Sequence, residues 1–326
     1  MPKAIILEQT GAPEVMQWRD VPMPKCGPKE LLIKQTAVGL NYIDTYHRSG
    51  LYPMELPGTP GLEGAGEVIE AGSECEFFKP GDKICYAGGP IGAYAQFRTI
   101  PERNVVKIPD GISDQLAAGI MLKGLTAHYL IKRTYVVNKD TVVLIHAAAG
   151  GVGLLLCQWA RHLGATVIGT VGSAEKAELA LANGCHYAVN YKEESFVEKV
   201  KQVTEGRGVH VVYDSVGQAT FEDSLKSLMP MGLMISFGQS SGPIAPFDMS
   251  VLQKHGSIFL TRPSLMDYIA DHASYLVGCT NLMQLVLEGV LKINVKQSFY
   301  LSDAVRAHHK LEERQTTGAT IFVVDE

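Results

Sequence analysis

Short apolar runs, separated by glycine and proline clusters, make up roughly the first hundred residues of the chain. Runs such as KAIILEQ, ELLIKQTAVG and GEVIEAG have the length and composition of β-strands. This part of the chain is therefore predicted to form an all-β unit. From Ser113 the pattern becomes helical, because DQLAAGIMLKGLTAHYLIKRT carries apolar residues at three- and four-residue spacing and no proline.

Apolar strand runs and helical stretches alternate after this helix. The runs TVVLIH, ATVIGTV, YAVNY, VHVVYDSV and LMISFG are separated by helical stretches such as VGLLLCQWARHLG and SFVEKVKQVTE. Alternation of this kind is typical of crossover units that build a parallel sheet. It predicts a doubly wound domain.

The end of the chain returns to a strand. After SIFLT the pattern predicts two helical stretches, 266–291 and 302–314, and the chain closes on the apolar run TIFVVDE. A lone terminal strand needs an existing sheet to pair with. We therefore expect this last part of the chain to fold back onto the N-terminal β unit.

Length and charge narrow the class of protein. The 326 residues exceed the usual single-domain length of roughly 100–200 residues, so two domains are expected. The formal net charge of −5 gives no global electrostatic reason to bind nucleic acid or an anionic membrane. No stretch is long and apolar enough to span a bilayer, and the N-terminal residues lack the pattern of a secretory signal. Six scattered cysteines without a CxxC pair favour a reducing, cytoplasmic location over a disulfide framework.

A glycine-rich turn joins the strand TVVLIH to the helix that follows it. In the sequence AAAGGVG, Gly150 and Gly151 allow the backbone to approach a pyrophosphate, and Gly153, after Val152, allows the helix to pack on the strand. Ala148 replaces the first glycine of the GxGxxG pattern, so the strand–turn–helix context carries the interpretation. The alternative is a turn with no ligand. The alternation downstream favours a dinucleotide site with free N–H groups at the helix start.

The end of the next strand indicates which dinucleotide is bound. Enzymes that use NAD usually place an acidic residue about 20 residues after the glycine turn, where it holds the ribose 2′-hydroxyl. Here the strand ends on Val171, Gly172 and Ser173, with no acid at the tip. Lys176 follows and can pair with a 2′-phosphate. NADPH is therefore preferred over NADH, although a solvated surface lysine is the alternative for Lys176.

Several motifs together resemble the medium-chain dehydrogenase/reductase superfamily. They are AVGLNYIDTYHRSGLYP, PGLEGAGEVIEAG, FKPGDKICYAG and LKGLTAHYLIKRT. Within that superfamily, HAAAGGVG, VVYDSVG and AHHKLEER resemble the NADPH:quinone oxidoreductases, a group that includes zeta-crystallin. The resemblance implies an α/β protein with a GroES-like catalytic domain built from residues 1–125 and 260–326. It also implies a Rossmann NADPH-binding domain at 126–259 and a homodimer formed through the edge strands of the cofactor domains.

The chain departs from the zinc alcohol dehydrogenases at two motif positions that ordinarily carry a cysteine and a histidine. Asn41 stands at the first and Leu62 at the second. A leucine cannot ligate zinc and an amide is a poor ligand, and the clustered cysteines of the structural zinc lobe are missing. Asp44 and Glu63 remain, but two carboxylates without a nitrogen or sulfur partner are not a plausible zinc site. No metal site is expected.

Chemistry without a Lewis acid favours a quinone over an alcohol. Removing a hydride from an alcohol needs a stabilised alkoxide, whereas an electron-poor quinone accepts reducing equivalents readily. The candidate catalytic residues lie in the segment around the vacated position: Asn41, Tyr46 and Tyr52. For each tyrosine the alternative is an amphipathic core or rim residue.

Two other functions stay open. One is a reductase of activated carbon–carbon double bonds, such as enones or alkenals. The other is a dinucleotide-binding protein that interacts with RNA, against which the negative charge and the lack of a basic and aromatic stripe count.

The resemblance implies further cofactor contacts, spread over both predicted domains. They are Asn41, Tyr42, Asp44, Tyr46, Thr126, Tyr129, Tyr191, Ser215, Val216, Phe237, Ser240, Phe259, Thr261 and Arg314.

Overall fold

The computed structural model describes residues 1–293 and 295–325. They form two compact units. The first unit comprises Met1–Leu125, Ile269–Leu287 and Ile293–Glu326, and the second comprises Thr126–Tyr268 and Glu288–Lys292. The domain boundaries expected from the sequence, after residues 125 and 259, stay a prediction. The last residue of the predicted terminal run, Glu326, lies outside the described residues.

The strands and helices follow the predicted change of pattern along the chain. The strands are β1 (Lys3–Leu7), β2 (Met16–Asp20), β3 (Glu30–Leu40), β4 (Glu63–Ala71), β5 (Lys83–Ala87), β6 (Phe97–Pro101), β7 (Val106–Lys107), β8 (Val142–Ile145), β9 (Thr166–Val171), β10 (Tyr187–Asn190), β11 (Val209–Asp214), β12 (Leu228–Ser236), β13 (Phe259–Thr261), β14 (Val295–Tyr300) and β15 (Ala319–Val323). The helices are α1 (Tyr42–Ser49), α2 (Asp114–Tyr129), α3 (Gly151–His162), α4 (Ala174–Ala182), α5 (Phe196–Val203), α6 (Phe221–Ser227), α7 (Ser250–Lys254), α8 (Leu265–Tyr268), α9 (His272–Leu287) and α10 (Ala304–Glu312).

The main sheet of the first unit joins both ends of the chain. Its strand order is β14-β15-β3-β4-β5-β7, and β6 also pairs with β3. The terminal strand β15 lies antiparallel to β3, with Phe322 opposite Val38, so it folds back onto the N-terminal strands as predicted. It is not alone, however, because β14 pairs with it in parallel. The sequence pattern missed β14, an edge strand that alternates half-buried and exposed residues and contains few strongly apolar ones.

A helix interrupts the β-strands of the first unit, where the pattern predicted strands only. The backbone N–H of Asn41 donates to the Asp44 carboxylate at 2.8 Å, which is one half of a capping box at the start of α1. Gly50 ends the helix in the left-handed conformation, with φ at 85°. Both signals are present in the sequence, but an eight-residue helix is too short to show a clear apolar period.

The sheet of the second unit has the strand order β10-β9-β8-β11-β12-β13, and every pair in it is parallel. This confirms the predicted doubly wound sheet. The order reverses between β8 and β11, which is the position where ligands bind in such sheets, beyond the carboxyl ends of the strands. Buried aliphatic side chains, among them Leu144, Ile168 and Val212, form the core on this sheet.

Among the described residues, no helix has the length and apolar character needed to cross a membrane.

Candidate active site and cofactor loop

The glycine turn lies at the carboxyl end of β8, where the strand order reverses. Gly150 precedes α3 with an extended backbone, and a Cβ atom on Gly153 would collide with the carbonyl oxygen of Ala147. Glycine at 153 is therefore what lets the helix pack against the turn. The first N–H groups of α3, at Gly151 and Val152, point out of the helix start, as a helix N-terminus requires. Free N–H groups at a helix start are a general binding feature for anionic groups.

The residues predicted to bind the adenosine end of the cofactor lie around the end of β9. Ser173 caps α4, its hydroxyl accepting the backbone N–H of Lys176 at 3.3 Å. A Cβ atom on Gly172 would lie 2.6 Å from the hydroxyl of Tyr191. The buried Val171 ends the strand, so an apolar residue stands immediately before this tip.

The loops after β11 and β12 are held together by a buried aspartate. One oxygen of Asp214 accepts the backbone N–H of Val216 at 2.7 Å and that of Gly217 at 3.0 Å. The backbone N–H of Phe237 donates to the Asp214 carbonyl, and that of Ser240 donates to the Ser215 carbonyl at 3.2 Å. The predicted residues Ser215, Val216, Phe237 and Ser240 are thus neighbours. Asp214 belongs to the motif VVYDSVG but was not among the residues predicted from the sequence.

The other predicted residues of the second unit are more scattered. Tyr129 is buried and stacks on Tyr268, with ring centroids 4.4 Å apart. Thr126 lies one turn earlier on α2. Thr261 ends β13 beside the carboxyl end of β12, whereas Phe259 begins β13 with an exposed ring.

A buried polar cluster in the first unit joins α1, β4 and α2. The Asn41 side-chain nitrogen donates to Glu63 Oε2 at 2.7 Å, and the Lys123 ammonium donates to Asn41 Oδ1 at 2.8 Å. The same ammonium lies 3.3 Å from Glu63 Oε2. All three side chains are nearly or fully buried. Both ends of the Asn41 amide are therefore held in a fixed orientation.

Asp44 lies beside this cluster without any exposed surface. Its Oδ2 accepts the Asn41 backbone N–H and, at 3.0 Å, the hydroxyl of Tyr94, while its buried Oδ1 has no hydrogen-bond partner among the residues that the structure describes. Burial raises the pKa of Asp44 to about 7, even though these two hydrogen bonds and the charge of Lys123 lower it. The carboxyl group is therefore poised between its two protonation states near neutral pH.

The Tyr94 hydroxyl is itself oriented by a histidine on α10. His308 is fully buried, its Nε2 lies 3.1 Å from the Tyr94 oxygen, and its Nδ1 lies 3.3 Å from Arg48. A guanidinium only donates, so Nδ1 accepts and Nε2 carries the hydrogen. Burial lowers the pKa of His308 to about 3, which keeps the ring neutral. Arg48 also forms an ion pair with Glu312 at 2.7 Å.

The predicted tyrosines surround α1. The ring of Tyr46 lies 5.8 Å from that of Tyr42 and 5.1 Å from that of Tyr52. All three are half-buried. Burial raises the pKa of Tyr42, and the positive charge of Arg314 opposes this shift, which places Arg314 in the same neighbourhood. The predicted residues of the first unit thus lie around α1, whereas those of the second unit lie partly at the strand ends and are partly scattered.

Asn41 and Leu62, which stand where zinc alcohol dehydrogenases carry ligands, do not belong to any group of described side chains that could bind a metal ion. Leu62 is buried, and its carbonyl accepts the backbone N–H of Gly88. In the residues that the structure describes, no group of three or more His, Cys, Asp or Glu side chains could hold a metal ion. That the protein works without zinc stays a prediction.

Lys123 was missed by sequence reasoning. It lies in the apolar stretch AAGIMLKGLTAHY of a predicted helix. A lysine with apolar neighbours before and after it in a helix indicates a buried charge, and this signal was available in the sequence. Tyr94 and His308 gave no comparable signal, because each resembles an ordinary core residue.

Comparison with known proteins follows the same division of the chain. Residues 27–110 match the alcohol dehydrogenase GroES-like domain, and residues 151–269 match the family described as zinc-binding dehydrogenase. A quinone oxidoreductase of Pseudomonas aeruginosa is 44% identical over 99% of this chain and 100% of its own length. A 2-haloacrylate reductase of a Burkholderia species is 40% identical over 99% of both chains.

A solved structure agrees closely with the fold. The Escherichia coli quinone oxidoreductase, solved as a complex with NADPH, has a TM-score of 0.96 and 43% identity, covering 98% of this chain and 99% of that one. The predicted GroES-like and Rossmann architecture is thereby confirmed. With these relatives and the glycine turn at the switch point of its parallel sheet, the chain belongs to the quinone oxidoreductases of the medium-chain dehydrogenase/reductase superfamily.

Proposed function

We propose that the protein is an NADPH-dependent quinone oxidoreductase, which transfers reducing equivalents from the nicotinamide to a quinone without zinc. The observation that carries this proposal is full-length identity of 43–44% to quinone oxidoreductases, one of them solved with NADPH. The glycine turn and the residues at the end of β9 supply a matching cofactor site.

The residues present fit NADPH. The cradle formed by Gly150, Gly151, Val152 and Gly153 takes the pyrophosphate through the free N–H groups at the start of α3, and Gly153 lets that helix pack against Ala147. When bound, NADPH supplies the reducing equivalents.

The adenosine end lies at the tip of β9. Ser173 and Lys176 there donate to the 2′-phosphate, and Gly172, which has no side chain, lets Tyr191 lie close against this turn. The further contacts of the second unit are Thr126, Tyr129, Ser215, Val216, Phe237, Ser240, Phe259 and Thr261.

The first unit binds and orients the quinone. Asn41 faces it with an amide whose oxygen and one N–H are already engaged, so the second N–H is the donor for a substrate oxygen. Tyr46 and Tyr52 line the same site and exclude water, while Tyr42 and Arg314 border the nicotinamide. Asp44, also predicted as a cofactor contact, has no exposed surface and supports the start of α1 from behind them.

The direct test is steady-state reduction of a panel of 1,2- and 1,4-quinones with NADPH and with NADH. We expect quinone turnover with a higher kcat/KM for NADPH. Absence of turnover with every quinone, at cofactor concentrations that saturate binding, would overturn the proposal.

A second candidate is reduction of an activated carbon–carbon double bond. It is favoured by the 2-haloacrylate reductase that is 40% identical over 99% of this chain, and by a solved structure of a 2-haloacrylate reductase with a TM-score of 0.87. Comparing 2-chloroacrylate and an α,β-unsaturated ketone with 1,4-benzoquinone under matched NADPH separates the two. A kcat/KM that is higher for the alkene would favour this second function.

We also propose that the protein is a homodimer. The edge strand β13 carries Phe259, whose ring is 60% exposed, and pairing of two such edges would form a homodimer. Light scattering should then give twice the 35.4 kDa chain mass, and a monomer would contradict it. The state of the cysteines bears on the location of the protein in the cell. All six cysteines are free thiols, which supports a reducing, cytoplasmic location.

A further inference from the structure

A lysine buried in the first unit has no place among the residues that sequence reasoning assigned. Lys123 lies on α2, and its side chain is only 9% exposed. Its ammonium contacts Asn41 Oδ1 at 2.8 Å and Glu63 Oε2 at 3.3 Å. The pair it forms with Glu63 is therefore almost completely removed from water.

Stability alone is a weak reason for such a pair. Taking both charges out of water carries a large desolvation penalty, and well-packed apolar residues of similar volume often replace a buried ion pair without loss of stability. The backbone around the Glu63 carboxylate is also closely packed against it. Glu63 Oε1 accepts the Leu122 backbone N–H at 2.8 Å, and a Cβ atom on Gly39 would collide with the Glu63 carboxylate.

The contacts define the orientation of the Asn41 amide. An ammonium has only donors, so the atom facing Lys123 is the amide oxygen, and the nitrogen faces the Glu63 carboxylate. Among the described residues, that nitrogen makes one hydrogen bond, leaving one of its two hydrogens unused. A positive charge on the oxygen polarises the amide and strengthens the donor at its other end.

We propose that Lys123 is a positioning residue of the quinone site, whose ammonium orients and polarises the Asn41 amide so that its second N–H meets the oxygen of the acceptor. This inference rests on the proposed function, because it assigns Asn41 to the substrate. Glu63 completes the arrangement by holding the first N–H. No covalent step is assigned to Lys123.

The kinetic test is a double-mutant cycle between Lys123 and Asn41. Lys123→Met should lower kcat/KM for a quinone by roughly 10–100-fold, the usual cost of losing a partner that orients a functional ligand. The dissociation constant for NADPH should change by less than about twofold. In the Asn41→Ala background the same substitution should have almost no effect. An equal loss in both backgrounds would overturn the proposal, since Lys123 would then act independently of Asn41.

Lys123→Met leaves Glu63 buried without its counter-charge, so this variant alone can fail to fold. The double variant Lys123→Met/Glu63→Gln removes both charges and tests the same point in a neutral cluster. We expect it to fold and still to lose quinone turnover, because the amide oxygen has lost its donor. Full turnover in a folded double variant would show that the ammonium is not needed. The exposed Lys132→Met is the matched control and should be indistinguishable from the parent.

A measurement without substrate separates this inference from the proposed function. Protein labelled with 15N-asparagine allows the Asn41 side-chain signals to be identified by their loss in Asn41→Asp. Their hydrogen exchange should accelerate by at least about tenfold in Lys123→Met/Glu63→Gln, while the side chain of the buried Asn190 serves as the internal reference. Unchanged exchange would refute the positioning role even in an active enzyme. Absence of quinone turnover in the parent protein would instead refute the proposed function.

Discussion

Asp44 is a carboxyl group without contact to solvent, and its burial contributes to the pH dependence of the stability of the first unit. Within residues 1–293 and 295–325, its neighbours provide two hydrogen bonds to Oδ2 and none to Oδ1. Desolvation is therefore not fully offset, and the pKa rises to about 7. In an unfolded chain an aspartate has a pKa of about 3.9.

Asp44 should lower the stability of the protein as the pH rises. Between about pH 4 and pH 7 the folded protein holds a proton that the unfolded chain has lost, so raising the pH through this window removes stability. Asp44→Asn, which cannot ionise, should therefore gain on the parent by up to about 4 kcal/mol between pH 4 and pH 8. Urea midpoints at both pH values measure the difference, with the exposed Asp140→Asn as control. A difference in stability between Asp44→Asn and the parent that is the same at both pH values would contradict this account.

Lys176 should discriminate between the two cofactors. Losing one charge-assisted contact costs roughly 1.5–3 kcal/mol, so Lys176→Ala should weaken NADPH binding by about one to two orders of magnitude. NADH lacks the 2′-phosphate, and its binding should scarcely change. Fluorescence titration with both cofactors measures this, with the exposed Lys254→Ala as control. Equal weakening of both would make Lys176 a structural residue.

Tyr52 should position the substrate rather than act as an obligatory proton donor. A quinone accepts reducing equivalents without prior protonation, and its reduced oxygens can take protons from water. Tyr52→Phe should therefore keep most of kcat and mainly change KM, the pattern of a lost uniform binding contact. Initial rates over a range of quinone concentrations provide the test. A loss of roughly a thousandfold in kcat at constant KM would instead identify Tyr52 as a general acid.

At the scale of elements, the turn between β8 and α3 depends on glycines that let two parts of its backbone lie close together. Gly150 and Gly153 lie near the same carbonyl oxygen, that of Ala147, but at different distances. A Cβ atom on Gly150 would be 3.1 Å from that oxygen, a tight but adjustable contact, whereas one on Gly153 would overlap it. The two positions therefore separate packing from ligand binding.

Gly153→Ala should destabilise the second unit, and Gly150→Ala should mainly impair NADPH binding. Forcing a methyl group into packed backbone costs roughly 1–3 kcal/mol, so the Gly153 variant should have a clearly lower Tm without cofactor. The Gly150 variant should keep its Tm within a few degrees but gain less stability when NADPH is added. Thermal unfolding of both proteins, with and without NADPH, distinguishes these outcomes. The reverse order of apo stabilities would contradict the packing account.

At the scale of the whole molecule, the donor groups do not suit zinc. Asn41 is engaged at both ends, Leu62 offers only a side chain without a donor, and Glu63 already accepts from Leu122, Asn41 and Lys123. Residues that already satisfy one another offer no ligand set of nitrogen and sulfur atoms.

We therefore expect purified protein to contain no stoichiometric zinc and to keep its activity in the presence of chelators. Elemental analysis of dialysed protein and assays with and without EDTA check this. About one tightly held zinc ion per chain would refute it.

The sequence by itself determined those features whose physical cause is local. Strand runs and helical spacing depend on neighbouring residues, so the parallel sheet, the helix α2 and the glycine turn could be predicted without tertiary contacts. The return of β15 to β3 also followed, because an apolar terminal strand requires a partner. The signals for α1 and β14 were local too. However, α1 was too short and β14 too polar for its apolar residues to show a recognisable period.

The tertiary structure alone decided which side chains meet. Asn41, Glu63 and Lys123 are brought together by α1, β4 and α2, across 82 positions of the chain, and His308 reaches Tyr94 across 214. Such contacts depend on strand pairing and register, which the one-dimensional pattern does not contain. Burial then set the charge states, since the pKa of Asp44 departs from its ordinary value only because the surrounding elements exclude water.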